Sequence, residues 1–305
     1  METTDALVKR RLELFVQHVD DVPPLPQIAM RVLEMLESPS ASATDLERVI
    51  LSEQTLAMKI LRMANSAFFG LPRSVASLRD AIVFLGFRKV SSIVVGLATF
   101  DLFGARRAEE TDLFRARLWR HSMLCATCSR RLAESRHDGP PEQAFMIGLL
   151  HDIGETILER YARDQFAEVI RLYEETGCPI MDAEAKVLGF NHAELAGALC
   201  ENWGIPDALT IPIRFHHSPM DAPEEARAAA LLCHVANGMA YGLCLEVTEE
   251  GPRYVPAEGL TQLPYTDQRA VLALGLDMPR LLLLMEEAGR AALEQESLFR
   301  NASAP

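Results

Sequence analysis

Histidines beside carboxylates, or beside each other, are the residues of this sequence that point most directly to chemistry. Five of the eight histidines have this context in helix-like segments: His121, His151 followed by Asp152, His192, and the pair His216 and His217. Imidazole nitrogens and carboxylate oxygens are the usual ligands of Zn, Mn and Fe in proteins. We therefore predict that these residues form a divalent metal site within a helical bundle. A buried polar network without a metal is the alternative.

Helix signals recur along the whole chain, whereas strand signals are nearly absent. Apolar residues repeat at helical spacing from Pro24 to Glu37, and Gly204-Ile205-Pro206 has the composition of a helix stop. Thr44 and Glu47 have the spacing of a capping box at a helix start. The sequence therefore predicts an all-α protein.

A short loop follows the predicted helix that ends near Ala64. It begins with Asn65-Ser66 and continues with Phe68-Phe69-Gly70. We expect Asn65 and Ser66 to cap the helix and order the loop, and the two aromatic rings to anchor it in the core. Direct contact of these residues with a partner is the alternative.

The chain of 305 residues is long enough for one large domain or two small ones. The polar stretch Gly104 to Thr111 separates two groups of predicted helices, which places an N-terminal helical part at 1–108 and a second helical part at 109–243. Residues 244–305 form an acidic C-terminal extension in which we predict two helices, Gln268 to Leu274 and Met278 to Phe299.

The net charge of −13 disfavours charge-driven binding to nucleic acid or to anionic lipid by the molecule as a whole. Residues 86–136 are locally basic, with ten basic side chains against five acidic ones. This segment is either a solvated helix face or an anion-binding patch. The candidate patch residues are Arg88, Lys89, Arg115 and Arg120.

The sequence predicts a cytoplasmic protein without a membrane span. The charge-free stretch Val90 to Phe100 is about half the length that a transmembrane helix needs. The first residues alternate charged and apolar side chains, unlike a secretion signal. We expect the six cysteines to be reduced, and Cys125 and Cys128 to be packed inside a helix.

Several motifs occur in an order that resembles the HDOD domain family, the signalling relatives of the HD and HD-GYP metal-dependent phosphohydrolases. They are P-P-L-P around Leu25, D-L-x-x-V-I from Asp45, L-x-x-K-I-L-R-x-A-N-S from Leu56, A-I-x-x-L-G from Ala81, W-R-H-S from Trp119, G-L-L-H-D-I-G from Gly148, H-A-E-L-A-G-A-L from His192 and F-H-H-S-P from Phe215. The resemblance covers roughly residues 20 to 240. It implies an HDOD-specific helical subdomain packed on an HD-like helical subdomain.

The resemblance also implies roles for the histidines and shows where this chain departs from the enzymes. Residues matching His121, His151, His192, His216 and His217 bind metals in the active relatives, and the aspartate matching Asp152 bridges them. Three enzyme features are changed here. A late aspartate of the site is replaced by Asn237, a phosphate-binding lysine by Glu155, and a glutamate one turn before the first histidine by Arg117. No G-Y-P follows His217.

Three functions follow from these observations. The leading one is a non-catalytic signalling or regulatory module that binds a signalling protein and retains a site for Fe, Mn or Zn, with Asn237 as a weak ligand. The alternative is a metal-dependent phosphohydrolase acting on a nucleotide or cyclic dinucleotide. The third is nucleotide or nucleic-acid binding without hydrolysis, although the net charge disfavours DNA.

Overall fold

Helices make up nearly all of the regular structure in the computed structural model, which describes residues 4–18, 25–102, 113–137, 139–248 and 251–303. The helices are α1 (Thr4–His18), α2 (Gln27–Glu37), α3 (Ala43–Leu51), α4 (Gln54–Ala64), α5 (Leu78–Leu85), α6 (Phe87–Leu102), α7 (Leu113–Arg136), α8 (Pro141–Leu150), α9 (Ile153–Tyr161), α10 (Arg163–Thr176), α11 (Ile180–Val187), α12 (His192–Asn202), α13 (Asp207–Arg214), α14 (Glu224–Tyr241), α15 (Gln268–Ala273) and α16 (Met278–Ser303). Short 3-10 turns occur at Ala67–Phe69 and Pro219–Asp221. The predicted all-α fold class is confirmed.

Helices α2 to α6 form the first helical group and share an apolar core. The start of α3 differs from the prediction. Ser42 is the N-cap residue, because its hydroxyl accepts the N–H of Asp45 at 3.2 Å while the Asp45 carboxylate accepts the N–H of Ser42 at 3.1 Å. The capping box predicted at Thr44 and Glu47 is therefore wrong by two residues. Thr44 lies inside α3, and Glu47 pairs with Arg79 at 3.2 Å.

The Asn65 side chain orders the loop after α4, as expected, but it does so across the loop. Its Oδ1 accepts the N–H of Val75 at 2.7 Å and the hydroxyl of Ser74 at 3.0 Å. Its Nδ2 donates to the carbonyl of Val75 at 2.8 Å. Asn65 thus joins the two ends of the segment between α4 and α5.

Helix α7 is the centre of the second helical group and packs against α8, α14 and α16. Its buried face carries Trp119, Met123 and Leu132. Cys125 and Cys128 are also fully buried there as free thiols, which confirms their predicted packing role. The boundary predicted at 104–111 lies outside the described residues.

The C-terminal extension contains a hairpin that the sequence reading missed. Strands β1 (Leu243–Thr248) and β2 (Gly251–Pro256) pair antiparallel, with Leu243 opposite Pro256. Both predicted helices are present as α15 and α16, and α16 continues to Ser303. Helix α16 packs against α4, α6 and α7, so the extension contacts both helical groups.

No single helix within the described ranges has the length and apolar composition of a membrane span. The segments Leu78–Leu85 and Phe87–Phe100 meet those criteria only as a pair, and the two are bent by 114°. Val90, Val94 and Val95 on α6 belong to the buried core.

Candidate metal centre

Asp152 lies at the point where the predicted ligands from different helices converge. Its Oδ2 is 3.4 Å from Nε2 of His121 on α7 and 3.0 Å from Nε2 of His151 at the end of α8. Its Oδ1 is 3.5 Å from Nε2 of His192 on α12 and 3.5 Å from Nε2 of His216, just after α13. Four histidines thus face one carboxylate, two on each oxygen.

His217 completes the group on the Oδ1 side. Its Nε2 lies 2.9 Å from Nε2 of His192, and these two nitrogens lie with Asp152 and His216 in a cluster whose donor atoms are all within 4.8 Å of one another. His121, His151 and Asp152 form a second such cluster. The two clusters share Asp152, and together the six residues supply the nitrogen and oxygen ligands that would hold a metal centre. We call these six residues the Asp152 centre.

Hydrogen bonds on the far side of the imidazole rings fix which nitrogen faces Asp152. Nδ1 of His151 donates to the carbonyl of Gly148 at 2.8 Å, and Nδ1 of His216 donates to the carbonyl of Ile213 at 2.7 Å. A carbonyl only accepts, so Nδ1 carries the proton and Nε2 is left to bind a metal. This is the arrangement typical of histidine ligands.

Several donor atoms of the centre are buried and make no well-aligned hydrogen bond, because their nearest polar neighbours are the other donor atoms of the centre. They are Nε2 of His121, His151 and His216, and Oδ1 of Asp152. Buried polar groups in folded proteins are almost always paired, because leaving one unpaired costs about 1–3 kcal/mol. A metal centre requires several donor atoms that converge on one place, as these four atoms do around Asp152. The residues therefore fit a bound metal.

Local structure explains how α9 and α12 come close enough to place these ligands. Gly154 has no side chain, and a Cβ at this position would lie only 2.1 Å from the carbonyl oxygen of His192. The start of α12 is set by Asn191, whose side chain accepts the N–H of Glu194 at 2.9 Å. The Glu194 carboxylate in turn accepts the N–H of Asn191 at 2.8 Å. This capping box places His192 in the first turn of the helix.

The carboxylate and the histidines of the centre shift one another's pKa values. Burial alone would lower the pKa of His151, but the Asp152 carboxylate outweighs it and raises this pKa well above its usual value. Burial opposes the charge of Asp152, yet His151 and the other histidines hold its pKa well below the usual range. Burial and the neighbouring imidazoles lower the pKa of His216 and of His217. Metal ions and protons therefore compete for the same nitrogens.

Glu184 on α11 contacts the candidate site and was not predicted from the sequence. Its Oε2 accepts both the backbone N–H of His192 at 2.9 Å and Nδ1–H of the same residue at 2.8 Å. The side chain is fully buried. Although burial opposes it, this carboxylate is the main reason that the pKa of His192 rises to about 10. Glu184 thus orients His192 so that its Nε2 faces Asp152.

The three residues that depart from the enzyme pattern, Glu155, Asn237 and Arg117, differ in how far they are buried. Glu155 is largely buried, 3.9 Å from Nδ1 of His192. Burial and the nearby carboxylates of Asp152 and Glu184 raise its pKa to about 8. Asn237 is 4% exposed, and its Oδ1 is buried without a partner. Arg117 is exposed on α7, one turn before His121.

A cavity of about 380 Å³ lies beside the Asp152 centre. Its wall includes Asp152, Glu155 and Asn237, together with Tyr241 and Tyr265. None of the described residues that line it is a lysine or an arginine. The cavity therefore presents carboxyl groups, aromatic rings and the imidazoles of His192 and His217 to a ligand, without a lysine or an arginine among its described lining residues.

The C-terminal extension supplies part of this cavity wall. The Tyr265 ring packs against Tyr241 with centroids 4.9 Å apart, and Tyr241 lies 4.4 Å from the ring of His121. The segment is held by His234, whose Nε2 accepts the N–H of Asp267 at 2.9 Å. Nδ1 of His234 donates to the carbonyl of His216 at 2.7 Å. One histidine thus joins the extension to the backbone of a predicted metal ligand.

The predicted anion patch has most of its charge engaged in ion pairs. Lys89 pairs with Glu142 at 2.8 Å, Arg115 with Glu159 at 2.8 Å, and Arg120 with Glu296 at 3.6 Å. Arg88 is exposed on α6. Anion binding by these residues stays a prediction, and it would have to compete with the three carboxylates.

The HDOD domain family model matches residues 22–219, well over half of the chain and the part that contains the complete Asp152 centre. The chain belongs to the HDOD domain family. The crystal structure of an HDOD domain protein of unknown function from Geobacter sulfurreducens has a TM-score of 0.74 and 25% identity, and the match covers 98% of this chain and 100% of that one. The shared fold thus extends beyond the family match into the C-terminal extension.

Two curated relatives match parts of the chain. An uncharacterized protein of Treponema pallidum is 25% identical over 208 residues, which cover 68% of this chain and 40% of the relative. The cyclic di-GMP phosphodiesterase CdgJ of Vibrio cholerae is 25% identical over 163 residues, which cover 53% of this chain and 36% of the relative. This HDOD domain chain therefore spans well under half the length of each.

Proposed function

We propose that this protein is a regulatory module that holds a metal centre but does not hydrolyse phosphodiesters. The observation that carries the proposal is the cavity beside the Asp152 centre, which contains Glu155 and, among its described lining residues, no lysine or arginine. A phosphodiester gains negative charge on its oxygens during hydrolysis, and a cation beside the metals stabilises that charge. Glu155, whose pKa is raised to about 8, supplies no positive charge at that position and becomes an opposing anion as the pH rises. The site therefore favours metal retention over turnover.

The six residues of the Asp152 centre would hold the metal, and Fe, Mn or Zn suits their mixture of imidazole and carboxylate. When bound, such an ion polarises an oxygen ligand and lowers the pKa of bound water. In this chain the histidines also order four helical segments around Asp152. Metal binding would stabilise the folded second helical group by the free energy of binding.

A protein partner is supported by exposed apolar residues in the first helical group. Leu51 is 55% exposed, Met58 62% and Val83 70%, and they lie on α3, α4 and α5, which pack against one another. Phe84 on α5 adds a partly exposed aromatic ring. A contiguous exposed apolar patch commonly marks a protein-binding surface, and we propose that these side chains form one.

The proposal is tested by measuring metal content and phosphodiesterase activity on the same preparation of the full chain. We expect Fe, Mn or Zn by elemental analysis and no hydrolysis of bis-p-nitrophenyl phosphate or of a cyclic dinucleotide. The double variant Glu155→Lys with Asn237→Asp is expected to gain slow hydrolysis. Turnover by the unaltered protein that is lost in Asp152→Ala would refute the non-catalytic assignment, and absence of metal after reconstitution would refute the metal centre.

A metal-dependent phosphodiesterase is the second candidate. The complete set of inward-facing donor atoms favours it, as does the similarity to a relative named as a cyclic di-GMP phosphodiesterase. Glu155 and Asn237 argue against it. Relative to the enzyme pattern, Glu155 replaces a phosphate-binding lysine and Asn237 replaces a charged aspartate ligand with a neutral amide. The activity assay described above separates the two candidates.

A further inference from the structure

Glu155 and Glu184 bring two carboxylates together on the side of His192 that faces away from Asp152. Glu155 comes from the first turn of α9 and Glu184 from α11. Donor atoms of Glu155, Glu184 and His192 all lie within 4.8 Å of one another. The two carboxylates come from separate helices, so the helical packing itself holds them together.

The two carboxyl groups share one counter-charge, His192, so the second of them needs a proton or a cation. His192 is the only ion-pair partner of either carboxylate among the described residues, at 2.8 Å from Glu184 and 3.9 Å from Glu155. Oε2 of Glu184 takes both hydrogen bonds from His192, whereas its Oε1 is buried and has no partner. One fully buried carboxylate oxygen therefore lacks any compensating group. Buried charge of this kind needs a counter-ion or a proton.

The cavity gives this pair access to water and ions. Glu155 forms part of its wall, while Glu184 lies behind, fully buried. Oxygen ligands are preferred by Mg²⁺ and similar hard cations, which commonly bind one or two carboxylates and keep several waters. Two carboxylates with a cavity of about 380 Å³ on one side match that requirement.

We propose that Glu155 and Glu184 bind a hard divalent cation, Mg²⁺ or Mn²⁺, at a site separate from the Asp152 centre. Glu155 supplies the ligand on the cavity side and Oε1 of Glu184 the buried ligand, while Oε2 of Glu184 keeps its bonds to His192. The bound cation takes the place of the proton that otherwise balances the second carboxylate. It also places positive charge on a cavity wall whose described lining residues include no lysine or arginine.

The decisive experiment is anomalous diffraction from crystals of the full chain soaked in Mn²⁺. We expect an anomalous peak within about 2.5 Å of both carboxylates, in addition to peaks at the Asp152 centre. No peak between Glu155 and Glu184 would overturn the proposal. His216→Ala separates this site from the proposed function, since it should remove metal at the Asp152 centre and leave the new peak in place.

Binding stoichiometry in solution gives a second measurement. Protein stripped with a chelator is dialysed against Mn²⁺, and bound metal is counted. Glu155→Gln should bind one equivalent fewer than the unaltered chain. Glu159→Gln is the matched control, because Glu159 lies one turn further along α9 with the same 14% side-chain exposure, and pairs with Arg115. Equal stoichiometry for Glu155→Gln and the unaltered chain would mean that the pair holds a proton, and would refute the site.

Discussion

Replacing Glu184 with glutamine tests how much a buried carboxylate behind a ligand contributes to metal affinity. The amide keeps the size of the side chain and an oxygen that accepts from His192, but removes the negative charge. Loss of a charged partner behind a ligating histidine typically weakens metal binding 10- to 100-fold, which is about 1.4–2.7 kcal/mol. Glu184 is fully buried and its two bonds to His192 are 2.8 and 2.9 Å, so the loss should fall within this range.

Protonation of His192 makes the size of this loss depend on pH. In the metal-free protein the pKa of His192 is about 10, because Glu184 and the other carboxylates stabilise the imidazolium despite burial. At pH 7 an incoming metal must therefore displace a proton from the His192 imidazolium, which the Glu184 carboxylate stabilises. Replacing Glu184 weakens proton binding as well as metal binding, and the two effects partly cancel. The loss should be near tenfold at pH 7, by the same range, and should increase as the pH rises.

The assay is competition for Zn²⁺ against a chromophoric chelator of known affinity, at pH 7.0 and at pH 8.5. Zn²⁺ is chosen because it prefers the nitrogen-rich Asp152 centre. Glu159→Gln controls for loss of a carboxylate elsewhere in the second helical group, where Glu159 pairs with Arg115. An unchanged Zn²⁺ affinity at both pH values would refute the role of Glu184. A loss that is equal at both pH values would refute the explanation based on the His192 proton.

Three further outcomes are expected. Zn²⁺ binding at pH 7 should release at least one proton, because His192 is protonated without metal; calorimetry in two buffers of different ionisation enthalpy measures this, and a buffer-independent enthalpy would contradict it. Asn65→Ala should lower the free energy of unfolding by about 2–3 kcal/mol in chemical denaturation, since both bonds to the backbone of Val75 are lost; a change below about 1 kcal/mol would contradict this. Gly154→Ala should cost about 1–3 kcal/mol of stability and weaken Zn²⁺ binding, because its methyl group would displace His192; Zn²⁺ affinity equal to that of the unaltered chain would contradict the second effect.

The Asp152 centre was predictable because its residue types are restrictive. A histidine followed by aspartate, then a histidine and a histidine pair, is an uncommon order within a helical chain, and the structure places these residues around one carboxylate. Glu184 carries no comparable signal. It is one of many glutamates, and only the return of the chain from α11 into α12 brings it to His192. Glu184 acts by orienting His192, and neither its residue type nor its position in the sequence indicates that role.

The errors in the secondary-structure reading also have local causes. Ser42 and Thr44 are each followed three residues later by an acidic residue, so both fit a capping box, and the sequence alone does not decide between them. The hairpin was missed because β1 and β2 have only six residues each within a helical chain. The β-branched Val247 and Thr248, opposite Pro252 and Gly251, were the available signal.

The residues around the cavity fall into two stretches of the chain, one inside the family match and one after it. All six residues of the Asp152 centre lie within the stretch matched by the family, from 22 to 219. Tyr241, Tyr265 and Asn237, which face the same cavity, come after it. Metal ligands must keep nearly fixed types and distances, whereas a cavity wall only has to match the shape and charge of what enters. We therefore expect changes at Tyr265 to alter which small molecules enter the cavity while leaving metal content unchanged.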